Sequence, residues 1–224
     1  MYFFDKSSIV KIITLAILST TAHSALAKPP LKEKYDVLKK ASGYAQSVAC
    51  STTFSKDSDA PTTTIKDVHL IDSQPSFDGK GEFGTTYVVY WGGDWGCNGG
   101  SGTYSKFLTS FTRFSETRPF LMEQMDVLED INSEEYQINT RFIEDVEFYN
   151  GVLLITSSDY SDDNTDGGNN FPRYQYRYTL AYDTDDYKWT LVNKKLMKDN
   201  YPNAKSSGYD WDDDVVVVFE NPYL

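Results

Sequence analysis

Positive charge is scarce in this chain. Its 224 residues carry 21 Lys and Arg against 33 Asp and Glu, a formal net charge of −12. Phosphate backbones and anionic lipid surfaces repel such a chain, so nucleic-acid and membrane-surface roles are disfavoured. Cationic partners are attracted instead, and their encounter is faster. The acids also serve solubility alone, so charge does not by itself name a partner.

Long apolar runs are equally scarce. The one compact run, Ile12 to Leu18, follows Lys6 and Lys11 and precedes the small residues Ala25-Leu26-Ala27. That order is the pattern of a cleavable signal peptide. The run falls short of the roughly 20 apolar residues that a spanning helix needs. Residues 1–27 are therefore expected to leave, and 28–224 to form one soluble domain in the periplasm or outside the cell. Lys6, Lys11 and Asp5 leave with the leader, so 19 basic and 32 acidic residues remain and the charge becomes −13. None of the eleven Asn residues opens an Asn-x-Ser/Thr acceptor, which suits a bacterial exported protein.

Thiols and imidazoles are few. Cys50 and Cys97 are the only cysteines, and they are not in Cys-x-x-Cys spacing. An oxidising compartment would pair them as a structural disulfide. Of the two histidines, His23 lies in the leader, so the mature chain retains His69 alone. With those ligands committed, zinc sites of the usual kinds are not available. No Gly-x-Ser-x-Gly elbow and no P-loop occurs. Carboxylates such as Glu144, Asp145 and Glu147 are plentiful enough for glycoside hydrolysis, but no pair stands out from the solvated background.

What is present is a helix followed by strands. Leu31, Tyr35, Leu38, Ala41/Ser42, Ala45 and Val48/Ala49 recur at helical spacing over residues 31–49, with Lys32, Lys34, Lys39 and Lys40 mostly opposite. Such a helix packs its apolar stripe on a sheet, or binds a membrane or an acidic partner. From residue 62 onward, segments rich in Val, Ile, Thr, Tyr and Phe alternate with Gly, Asn, Asp and Pro. Strands are expected at 64–71, 85–91, 103–114, 136–149, 153–158, 173–183, 188–193 and 215–219. Asn150-Gly151 and Asp183 to Asp186 mark hairpin turns. The expected fold is α+β or mainly β: one N-terminal amphipathic helix on an antiparallel, meander-like sheet, with a single disulfide.

Three stretches are candidates for function. Tyr90 to Thr103 holds six glycines within eleven residues, beside Trp91, Asp94, Trp95 and Cys97. It reads as a recognition loop with two flat rings and a charge, or as a clamped turn with Trp95 packed inward. Asp162, Asn164, Asp166 and Gly167 match the opening of a calcium loop, but Arg173 replaces its closing Glu. The choice there is a looser calcium site or a solvated acidic tip. Asp210, Trp211 and Asp212 precede a run of four Val, either gripping a cationic partner or keeping that run soluble.

These features lead first to a non-catalytic exported binder. Its contact residues would be Trp91, Asp94, Trp95, Asp210, Trp211 and Asp212. Its partner would be a cationic exported protein such as a cell-wall-degrading enzyme or toxin, making it an inhibitor or immunity protein. A small wall hydrolase using paired carboxylates and a glycan-binding module are the alternatives.

Overall fold

The computed structural model describes residues 31–56, 60–75, 82–100, 102–129, 131–132, 137–149, 151–160, 170–184, 186, 188–200 and 216–220. The leader, the candidate calcium residues Asp162, Asn164 and Asp166, and the candidate contacts Asp210, Trp211 and Asp212 lie outside them.

Helix α1 spans Leu31–Val48. Val37, Ala41 and Ala45, four residues apart, are fully buried. The buried stripe is turned from the expected one, for Leu31 and Tyr35 are 63% and 54% exposed. Small side chains explain the turn: Ala41 and Ala45 let the helix lie close on the sheet, where a Leu or Tyr would hold it away.

Beneath the helix are β1 (Ala49–Thr52), β2 (Val68–Pro75), β3 (Glu82–Trp95), β4 (Tyr104–Arg113) and β5 (Leu121–Gln124). They form one antiparallel sheet. The long β3 carries two partners on one edge, pairing β2 through Val68↔Val89 and β1 through Ala49↔Trp95. Strand β4 runs along its other edge, and β5 closes the sheet beyond β4.

The second sheet consists of β6 (Ile143–Tyr149), β7 (Val152–Asp159), β8 (Tyr174–Asp183), β9 (Lys188–Asp199) and β10 (Val216–Glu220). It is a meander whose strands lie in chain order. Its first turn passes Gly151 at φ +86, joining Tyr149 to its partner Val152. The Asp183 turn joins β8 to β9, with the Asp186 N–H donating to Asp183 Oδ1 at 3.2 Å.

Alternation along β3 explains the layering. Tyr87 and Val89 pack under the helix with Val37 and Ala41, and Trp91 joins Ala45 and Phe107. Val88 faces the other way, into a core shared with Ile155, Tyr178, Leu180 and Trp189 of the meander. A strand buried on both sides needs a continuous apolar run, and Tyr87-Val88-Val89-Tyr90-Trp91 is one. The result is mainly β, helix on sheet on sheet, with one disulfide between Cys50 and Cys97.

The strands divide between two sheets instead of forming one meander. The short β1 and β5 carry no pattern that marks them in the sequence. Residues 65–67 form a 3-10 turn, where Thr64 Oγ1 accepts from Lys66 N–H and Asp67 Oδ2 accepts from Thr64 N–H. Residues 140–142 form a second 3-10 turn, without a side-chain cap, so β6 starts only at Ile143.

Candidate functional site

The glycine-rich connection between β3 and β4 is built by close approach. A Cβ on Gly93 would stand 2.8 Å from the Ser51 carbonyl oxygen, and one on Gly92 would stand 2.8 Å from Lys106 Cδ. Glycine at both positions lets β1 and Lys106 close on β3. Gly96, Cys97, Gly99 and Gly100 then turn through positive φ. Among the described residues Cys97 is the one non-glycine at positive φ, and its bond to Cys50 ties the turn to β1. Further ties are Gly96 N–H to the Val48 carbonyl at 2.9 Å and Asn98 Nδ2 to the Trp95 carbonyl at 3.2 Å.

Trp91, Asp94 and Trp95 are therefore held together but have different surroundings. Trp91 is 1% exposed, stacks on Phe107 at 4.6 Å between centroids, and donates from Nε1 to Thr109 Oγ1 at 2.8 Å. Its ring lies in the core, not at the surface where a contact residue is expected. Asp94 accepts the Gly99 N–H on Oδ2 at 3.1 Å, while its Oδ1 is buried without a hydrogen-bond partner. Trp95 is 44% exposed and meets Phe107 edge-on at 5.9 Å. The residue is thus packed against Phe107 yet nearly half exposed.

Next to this tip lies a cleft of about 440 Å³ lined by Arg141, Phe142, Glu144, Ser158, Asn170 and Phe171, among others. Gly102 links tip and cleft, since a Cβ there would be 3.9 Å from Arg141 Nη1. The Arg141 guanidinium stacks over Phe142 at 4.9 Å and donates to Asn170 Oδ1. Glu144 accepts from Ser158 Oγ at 2.8 Å and from Gln175 Nε2 at 2.7 Å. Phe171 is 59% exposed. Behind it Arg173, fully buried, donates from Nη2 to Asp199 Oδ2 at 2.8 Å. Sequence reasoning missed this cleft because Arg141 and Phe171 come from distant segments with no local pattern joining them. Arg173 reads as one polar position of an alternating strand, and nothing local points to Asp199.

Glu144, Asp145 and Glu147 are exposed on β6, an edge strand, where charge discourages edge-to-edge pairing. His69 on β2 is partly buried, and its Nε2 has no hydrogen-bond partner. Burial, aided by Lys34, lowers its pKa to about 4, against the opposing pull of Asp67 and Asp145. The Tyr90 hydroxyl donates to the Ile143 carbonyl at 3.2 Å, and burial raises its pKa. Among the described residues no group of three or more His, Cys, Asp or Glu side chains is placed to hold a metal ion.

The disulfide accords with an oxidising compartment. No helix among the described residues is long and apolar enough to cross a membrane. No protein-family model matches this chain, and neither does any curated protein or solved structure.

Proposed function

We propose that this is an exported, periplasmic or secreted bacterial binding protein, non-catalytic, whose partner is a cationic exported protein such as a wall-degrading enzyme or toxin. The observation that carries the reading is Trp95: a large ring, 44% exposed, on a turn fixed by a disulfide. A rigid aromatic anchor loses little entropy on contact and supplies much of a binding energy. The net charge of −13 over residues 28–224, from 19 basic and 32 acidic residues, supplies the steering. Asp94 serves the anchor indirectly, by holding Gly99 and so the turn.

The test is capture from an extract of exported proteins on immobilised mature chain, at low and high salt, with Trp95→Ala in parallel. A basic protein retained at low salt, released at high salt and lost with Trp95→Ala supports the reading. Retention of no basic protein at low salt overturns it.

The cleft favours a second reading, a glycan-binding module. An exposed Phe171 beside Arg141, Asn170 and Glu144 offers a stacking face with fixed polar groups, a common form for ligand clefts of this size. Glycan binding would be nearly insensitive to salt and lost with Phe171→Ala, whereas Trp95→Ala would leave it intact.

A further inference from the structure

The groove between α1 and the β4–β5 connection has the opposite sign to the chain. It encloses about 580 Å³ and is lined by five cations, Lys32, Lys39, Lys40, Arg113 and Arg118, against the anions Glu33, Asp36 and Glu116. One pair is committed to structure: Glu33 Oε1 accepts from Arg113 Nη2 at 2.6 Å, and its Oε2 accepts from the Tyr87 hydroxyl at 3.1 Å. The Arg113 guanidinium lies 4.8 Å over the buried Phe120 ring. These contacts make the floor and fix the first turn of the helix against the sheet.

Lys32, Lys39, Lys40 and Arg118 remain, all exposed, and among the described residues lining the groove the other anions are Asp36 and Glu116. An excess of two positive charges thus sits in a concave groove of a protein whose net charge is −12. At physiological salt the screening length is about 8 Å, so groove charges outweigh distant acids for a bound ligand. Lys32 stands seven and eight residues before Lys39 and Lys40, which places the two ends about 10–12 Å apart along the axis. The positive end of the helix dipole adds to the Lys32 end. A single oxyanion meets one end only. A flat bilayer does not enter a concave groove.

We propose that this groove binds a short linear polyanion, with phosphate or carboxylate groups repeating along a chain so that both ends are met at once. The site is independent of Trp95 and of its partner. The test titrates mature protein, residues 28–224, by calorimetry with orthophosphate, long-chain polyphosphate, a polyuronate oligomer and anionic phospholipid vesicles. Binding of a chain, with orthophosphate at least about tenfold weaker, is expected from the loss of one end's contacts. Preference between polyphosphate and polyuronate identifies the source of the charge. Lys39→Glu/Lys40→Glu should weaken chain binding about tenfold or more with melting unchanged, since two surface attractions become repulsions. Lys188→Glu/Lys195→Glu on the meander should leave it unchanged. Absence of chain binding, equal binding of orthophosphate, preferential vesicle binding or indifference to Lys39→Glu/Lys40→Glu would each overturn the proposal.

Discussion

The partly buried His69 and the buried Asp126 shift in opposite directions, and together they should hide a strong pH dependence. His69 has a folded pKa of about 4 against 6.5, because burial disfavours its cation. Its stabilising contribution is complete above pH 6.5 and is lost as pH falls toward 4. Asp126 has a folded pKa of about 6 against 3.8, because burial outweighs the N–H groups of Leu128 and Leu108 donating to Oδ1. Its contribution is complete below pH 3.8 and is lost as pH rises toward 6. Each shift corresponds to about 3 kcal/mol, and the signs oppose across the shared window. Asp126→Asn keeps the Oδ1 acceptor for both N–H groups and removes the titration. It should therefore be about 3 kcal/mol more stable than the parent at pH 7, and should lose a similar amount between pH 6.5 and 4. Urea unfolding at half-unit pH steps measures this. NMR checks it independently, since His69 is the only histidine after residue 27 and gives a single imidazole titration. His69 titrating near 6.5, or parallel pH profiles for parent and Asp126→Asn, would refute the reasoning.

Cys50→Ser/Cys97→Ser should cost about 4 kcal/mol by freeing a loop of sequence separation 47, read as a lower urea midpoint, and should broaden Trp95 emission as the turn loosens. Arg173→Met removes the counter-charge of Asp199 and should cost about 3–5 kcal/mol, whereas Arg173→Met/Asp199→Leu should recover most of it. Gly43 lies in the solvent-facing middle of α1, and a Cβ added there would meet nothing within 4 Å. Gly43→Ala should therefore raise the urea midpoint, by up to about 1 kcal/mol in stability.

Local patterns are readable in the sequence where local forces decide. Helical spacing locates α1, turn chemistry locates the Gly151 hairpin, and a lone pair of cysteines implies a bond wherever the compartment is oxidising. The division into two sheets is not readable, because it depends on which distant strand each edge meets. Trp91 and Trp95 show the limit well. They stand four residues apart on β3 and so share a face, and no periodicity separates them. Depth separates them: α1 and Tyr44 cover Trp91, while the helix ends at Val48 and leaves Trp95 beyond it. Arg173 gives the converse case, a charge buried by a partner 26 residues away.

Association kinetics of the captured partner with parent and Trp95→Ala, across ionic strength, address the main proposal most directly. The association rate should fall about tenfold or more between low and physiological salt, and Trp95→Ala should speed dissociation while leaving association nearly unchanged. An association rate flat in salt, or dissociation indifferent to Trp95→Ala, would contradict the proposal.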